Sequence, residues 1–257
     1  MYKNLKYQLL IFGTLLLHIH GIGQHNHLPF KPGEFLKFSI KFGPVKGGYA
    51  TVNLRETSYR NKRVYHSVAK GKTTGITDIL FNVEDLFISY FNPDNCLPYR
   101  SIRDITEGRY TFYNETTFLH ENNQVFSKKS GIHEIPEGTL DIVSTFYWIR
   151  KEGFDHYAVG DTIPIITFFD DEIFPFDIVY RGTENIKTQL GTFNCILLGP
   201  IVEPGRIFKS KDDMSLWLSN DGNFIPIRVK FELIVGSLRM DLISYDNLKY
   251  ELIKTDN

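Results

Sequence analysis

The sequence predicts a mainly β protein, built as a large antiparallel curved sheet or a barrel-like sandwich with one central helix. Apolar and polar residues alternate along most of the chain, turn-forming residues separate these stretches, and only one long segment has helical spacing of its apolar residues. The composition is 42% hydrophobic and 14% aromatic, with 21 Phe, which is enough to build a sizeable core.

Alternation with a period of two predicts the strands. Every second residue is apolar in residues 36–42, and the same pattern recurs in residues 50–55. Successive side chains of a strand point to opposite faces, so each of these segments has one apolar and one polar face. Looser versions occupy residues 64–69, 86–91, 110–119, 173–180, 193–198, 214–218, 225–233 and 237–244. Turn formers such as Asp221-Gly222 lie between them, which favours antiparallel connections over helical crossovers.

A helix is predicted over residues 139–152, where apolar side chains recur at i, i+3 and i+4. Thr139 is the predicted N-cap, and Glu152-Gly153 the predicted end. A second short helix is expected near residues 74–81. The chain is then a single β-rich domain over residues 24–257, with two β halves, 24–138 and 154–257, joined by the helix.

The first 23 residues have the layout of a secretory signal peptide. Lys3 and Lys6 precede an uncharged, largely apolar run over residues 7–17, and Gly21-Ile22-Gly23 follows as a small-residue exit. We therefore expect an exported protein of the periplasm or cell envelope. Later apolar stretches are too short to cross a bilayer, so no transmembrane span is expected in the mature form.

Two cysteines, Cys96 and Cys195, leave two alternatives open. In an oxidising compartment they are able to form one disulfide. Alternatively, Cys195 is a buried thiol on a strand and Cys96 lies apart in a loop.

The sequence contains no catalytic signature. A G-x-S-x-G elbow, an H-E-x-x-H zinc motif and a phosphate-binding glycine loop are all absent from it, so we predict no catalytic residue, metal site, nucleotide or other cofactor. The formal charge of -1 makes nucleic acid an improbable partner. Asp170-Asp171-Glu172 has cation-binding carboxylates, but a β-turn tip is the simpler interpretation.

Aromatic residues are the better indication of a binding site. Phe146, Tyr147 and Trp217 are the candidate ligand-binding walls, because the helix and a late strand are expected to meet near the centre. The alternative is that these aromatics form an ordinary core.

Several short segments, taken in order, resemble the exported bacterial domain-of-unknown-function 3108 family. The segments are residues 33–38, 47–50, 141–150, 191–195, 216–222, 225–229 and 236–238. The resemblance covers nearly all of the predicted mature chain. It implies an exported, mostly antiparallel β protein and no particular activity.

Three functional hypotheses follow. The first is a non-enzymatic envelope protein whose curved sheet binds a lipid or another apolar or amphipathic molecule. The second is a structural or interaction module that docks to an envelope protein or polysaccharide assembly. The third is a hydrolase of envelope glycan or lipid, which is least favoured because no catalytic constellation is apparent.

Overall fold

A computed structural model describes residues 28–202 and 208–255, and the predicted signal peptide lies outside these ranges. Strands from both β halves pair in one 14-stranded sheet, as the alternating pattern predicts. The first half contributes β1 (Phe35–Phe42), β2 (Val45–Tyr59), β3 (Lys62–Thr73), β4 (Val83–Phe91), β5 (Pro98–Glu107), β6 (Tyr110–Leu119), β7 (Gln124–Ser127) and β8 (Gly131–Glu134). The second contributes β9 (Thr162–Phe169), β10 (Glu172–Thr188), β11 (Gly191–Pro200), β12 (Met214–Ser219), β13 (Pro226–Glu232) and β14 (Ser237–Asp246).

Within the described ranges, three short helical elements interrupt the strands. They are α1 (Ile76–Leu80), a 3-10 turn (His120–Asn122) and α2 (Ile142–Glu152). Both predicted helices are therefore present, and α2 is the central one. No helix among the described residues is long and apolar enough to cross a bilayer.

The strand order makes the sheet one continuous antiparallel ribbon. It runs β8-β7-β6-β5-β4-β3-β2-β1-β14-β13-β12-β11-β10-β9, so β1 pairs with both β2 and β14 and joins the two halves. The edge strands are β8 and β9. They do not pair with each other, so strand hydrogen bonds leave the sheet open.

The two edges nevertheless approach each other along a seam, formed by β9 and the segment that leads into α2. Leu140 makes an isolated parallel bridge with Thr167 of β9, and the Phe168 amide donates to the Leu140 carbonyl at 2.9 Å. On the β6 side, Phe118 meets Phe168 edge-on at 6.4 Å between ring centroids. The sheet therefore curls into a barrel-like shape without strand closure.

The N-cap of α2 is Asp141, not the predicted Thr139. The Asp141 carboxylate accepts from the amides of Val143 and Ser144, and the Ser144 hydroxyl accepts from the Asp141 amide. This reciprocal capping box satisfies the free amides of the first turn. Thr139 instead donates its hydroxyl to the Pro136 carbonyl in the extended segment of the seam. The helix ends at Gly153 as predicted, with φ of 70°.

The helix lies inside the curl of the sheet. Its Tyr147 hydroxyl bonds Ser67 of β3, while its Ile149 packs in a cluster with Leu198 of β11 and Leu218 of β12. These strands are far apart in the strand order. One helix can contact all three strands only if it lies on the concave side of the sheet.

The two cysteines are free and buried, so the disulfide alternative does not describe this structure. Cys96 packs with Phe91 and Tyr147, whereas Cys195 on β11 belongs to a different cluster with Phe193. The second alternative, a strand thiol and a separate loop thiol, is what the structure contains. Burial raises the pKa of each thiol to about 12.

Candidate functional site

Helix α2 lies on the concave side and is fixed to the wall by buried polar contacts. The Ser89 hydroxyl of β4 donates to the Asp141 carboxylate at 2.5 Å, and Ser67 and the Tyr147 hydroxyl are 3.1 Å apart. Asp141 and Tyr147 are both buried. Desolvation raises the pKa of Asp141 to about 6, against the hydrogen bonds that favour its charged form.

One end of the barrel is closed by the last turn of α2. The Arg150 guanidinium makes a bidentate pair with Glu34, at 2.7 and 2.8 Å, and its Nε donates to the Asn223 carbonyl at 3.1 Å. The guanidinium also lies 5.2 Å from the Phe30 ring centroid. This contact set joins the N-terminal segment, the helix and the β12–β13 loop, so we call this the closed end.

Beyond the helix, toward the opposite end, the concave face of β1 and of β10 to β14 is apolar. Directly paired residues of neighbouring strands share a face, so the strand register identifies two rows. One row runs across six strands as Ile40, Met240, Val229, Leu216, Leu198 and Tyr180. The next consists of Phe42, Leu238, Phe231 and Met214.

These rows are open to solvent where the helix does not cover them. Leu198 is fully buried beside the helix, but Ile40, Met240 and Val229 are only half-buried and Phe42 is 47% exposed. The second row, from Phe42 to Met214, lies outside the buried hydrophobic clusters that the described residues form. Phe208 stacks on Phe231 at 6.4 Å between ring centroids and covers that end of the second row. The other side chains of this row, and the half-buried ones of the first, leave a concave apolar surface that is partly open to solvent.

Small residues on β2 and β3 widen this space. Ala50 and Gly71 are directly paired on the same concave face, and Ala50 also pairs with Phe38. A Cβ built on Gly71 would meet nothing within 4 Å. We call the space bounded by the two rows, Ala50 and Gly71 the chamber.

A groove at the seam adjoins the start of α2. Its empty volume is about 450 Å³, open solvent included, and its walls include Phe87, Ile142 and Phe168. Ile142 is 46% exposed although it starts the helix. The groove therefore adds further accessible apolar surface beside the helix.

Charged side chains stand at the mouth of this groove. Arg103 lies 4.7 Å from the Phe112 centroid and 4.5 Å from that of Phe169, and it pairs with Asp170 at 2.7 Å. Its Nε is buried without a hydrogen-bond partner among the described residues. The groove thus combines aromatic walls with an unsatisfied donor, which suits a molecule that has an apolar part and a polar head.

The acidic residues that precede β10 form a turn tip, as the sequence suggested. Asp170 and Asp171 have φ of 55° and 63°, and they connect the antiparallel strands β9 and β10. Asp171 accepts from the Asn114 side chain at 2.9 Å across the seam. Within the described ranges, three or more metal-ligating side chains are nowhere grouped so that they could hold an ion.

The structure brings two of the three candidate wall residues together and places the third on another face. Phe146 and Tyr147 meet edge-on at 4.8 Å between ring centroids. Tyr147 is fully buried, with a Phe91 ring stacked at 5.0 Å, and Phe146 is half-buried against two core clusters. Trp217 alternates on β12 with Leu216 and Leu218, which pack in the cluster that includes helix residue Ile149. Trp217 therefore projects from the other face, where its indole donates to Glu184. The helix and β12 do meet, but through the leucines.

The residues that line the chamber were not singled out by sequence reasoning. Alternation in residues 36–42 and 237–244 marks Ile40, Phe42, Leu238 and Met240 as one-faced apolar positions. It does not show that these positions lie beyond the end of a helix. The strand register and the place of α2 supply that information.

Comparisons with known proteins agree with this architecture. A beta-barrel-like protein of domain of unknown function DUF1849 from Brucella abortus superposes with a TM-score of 0.56 at 8% identity, over 84% of this chain and 98% of that one. At this identity the likeness shows the fold alone. A DUF1329 family protein from Desulfovibrio piger ATCC 29098 has 12% identity, with 88% and 89% of the two chains covered, but its TM-score of 0.21 carries no argument.

Sequence comparison gives the family. No curated protein matches the chain. The family model described as "Protein of unknown function (DUF3108)" matches residues 37–243, which is most of the sequence and the whole span from β1 into β14. The chain therefore belongs to the DUF3108 family.

Proposed function

We propose that this protein is a non-enzymatic protein of the bacterial cell envelope that binds an apolar or amphipathic molecule in the chamber. The observation that carries the proposal is the pair of apolar rows on the concave face, half-buried at Ile40 and Val229 and open at Phe42. Accessible apolar area of this kind is costly in water, and a bound apolar chain would bury it.

The polar features of the neighbouring groove support an amphipathic ligand. An apolar chain would lie along the rows, and a polar head would accept from the unsatisfied Arg103 Nε beside Phe112 and Phe169. Pockets for small molecules commonly combine apolar walls with a few placed polar groups. The sequence-based expectation of export places such a ligand among envelope lipids.

The hydrolase hypothesis has weaker support. Asp141 is the acid in the groove whose pKa is raised, to about 6. Its oxygens accept from Ser89 and from the amides of the first helical turn, so capping accounts for its position. Asp170 and Asp171 at the mouth are engaged by Arg103 and Asn114.

The proposal is tested by filling the chamber. Gly71→Phe adds a ring where the structure has open space, and Thr57→Phe places the same ring on the exposed convex face of β2 as a control. We expect saturable fluorescence enhancement of 11-(dansylamino)undecanoic acid with the wild type, at least about tenfold weaker binding by Gly71→Phe, and no change with Thr57→Phe.

Mass spectrometry of lipids extracted from protein purified out of its native envelope identifies the ligand. Thermal unfolding of each variant checks that the added ring has not disrupted the sheet. Absence of both a copurified amphiphile and saturable probe binding by folded wild-type protein would refute the proposal.

A further inference from the structure

The open end of the barrel carries a continuous set of exposed apolar side chains. The β1–β2, β3–β4, β5–β6 and β13–β14 connections all lie at this end, because these strands are antiparallel neighbours. We call their exposed apolar residues the rim: Val45, Ile76, Ile79, Leu80, Phe81, Ile234 and Val235, which are 47–84% exposed.

Backbone contacts hold the rim together. The Gly43 amide donates to the Ser237 carbonyl at 2.9 Å, the Thr74 amide to Gly47 at 3.0 Å, and the Gly108 amide to Asn82 at 2.7 Å. These bonds link each connection to the next one around the end of the barrel. The rim is thus one structured surface rather than a set of separate loop tips.

Helix α1 presents apolar residues to solvent although its backbone is well tied down. Asp78 accepts from the Thr73 hydroxyl and from the Asn82 amide, both at 2.8 Å, which anchors the helix at both sides. Ile79 and Leu80 are nevertheless 84% and 78% exposed, and the helix has no buried residue. None of its apolar side chains belongs to a hydrophobic cluster formed by the described residues.

A row of cations lies just behind the rim on the convex face. Lys46 pairs with Lys41, Lys41 with Arg239, and Arg239 with Lys230 across four neighbouring strands. Like charges directly opposite each other destabilise a sheet. Ion pairs with Glu232 and Asp241 neutralise the charges of Lys230 and Arg239, respectively. Lys41 and Lys46 form no ion pair within the described ranges.

We propose that the rim docks on the surface of a lipid bilayer that contains anionic phospholipids. The rim side chains insert among the acyl chains, and the cation row contacts the head-group phosphates, as at other interfacial anchors. Phe42, which ends the second chamber row, pairs directly with Val45 of the rim, so apolar surface continues from the rim into the chamber. Docking would place the chamber mouth against the lipid phase.

Vesicle sedimentation tests the proposal, with phosphatidylethanolamine/phosphatidylglycerol vesicles compared with phosphatidylcholine vesicles. The rim variant is Ile79→Ser/Leu80→Ser. The matched control is Val159→Ser/Ile253→Ser, which removes side chains that are 73% and 62% exposed outside the rim. All four positions are exposed, so neither variant should impair folding.

We expect the wild type and the control to sediment with the anionic vesicles and to bind the neutral ones more weakly. The rim variant should bind at least about tenfold more weakly, and Lys41→Gln/Lys46→Gln should abolish the preference for anionic vesicles. Equal sedimentation of wild type and rim variant would overturn the proposal. So would a wild-type dimer in light scattering that the rim variant dissociates, because a second copy would then cover the rim. The rim variant leaves the chamber residues unchanged, so a failure of the docking proposal leaves the chamber proposal standing.

Discussion

Arg150 and Glu34 form a bidentate ion pair with both side chains buried, across 116 positions of sequence. The pair links α2 to the residue that precedes β1 at the closed end of the barrel. Removing one partner would leave the other charge buried and unpaired, which typically costs about 3–5 kcal/mol.

We expect Glu34→Gln to lower the free energy of unfolding by that amount, measured by urea denaturation. The exposed pair Arg63–Glu56, at 2.8 Å, provides the control. Glu56→Gln should lower the free energy of unfolding far less, because solvent screens the exposed pair. Similar losses for the two variants would contradict a special role for the buried pair.

The Asp141 carboxyl should make stability depend on pH. Its pKa is raised from 3.8 to about 6 by burial, so folding binds its proton more tightly. Its contribution is full below pH 3.8, falls as the pH rises toward about 6, and is constant above that value. The loss is about 3 kcal/mol, from about 1.4 kcal/mol per pKa unit.

Asp141→Asn keeps an N-cap side chain but removes the titration. The stability of Asp141→Asn relative to the wild type should therefore increase between pH 4 and pH 6. Urea midpoints at several pH values give this difference, in which the other titrating groups cancel. A difference that does not change with pH would show that Asp141 titrates normally.

The two thiols should be unreactive in the folded protein. Both are buried, and burial raises the pKa of each to about 12, so the reactive thiolate is scarce at neutral pH. We expect almost no reaction with Ellman's reagent in the native state and reaction of both cysteines in guanidinium chloride. An oxidant should produce no intramolecular disulfide in the native protein. Rapid native labelling would place at least one thiol at the surface.

The Tyr147 hydroxyl is expected to contribute modestly to stability. It lies 3.1 Å from the Ser67 hydroxyl in a buried site, and such a hydrogen bond is worth about 1 kcal/mol net. Tyr147→Phe should cost about that much, whereas Tyr147→Ala should cost about 3–5 kcal/mol because the ring fills the core. A double-mutant cycle with Ser67→Ala measures the coupling. No coupling would mean that the two hydroxyls do not interact in solution.

The accuracy of the sequence-based predictions differs between local and long-range features. The alternation in β1 and the helical spacing before Gly153 correctly predicted a strand and a helix, because both patterns depend on neighbours in the chain. The N-cap was misassigned to Thr139, since only the pairing of Leu140 with β9 shows that the chain is still extended there. Trp217 was misplaced for a similar reason, because alternation does not tell which face of a strand meets the helix.

The sequence by itself determined the antiparallel β class, the central helix and the family, because each follows from local spacing or from motifs in a fixed order. The tertiary structure alone decided that the sheet curls to a seam, that α2 lies inside it, and that Ile40 and Phe42 stay partly open to solvent. Those outcomes depend on pairing between strands distant in sequence, and a period of two is the same whether an apolar face is filled or empty.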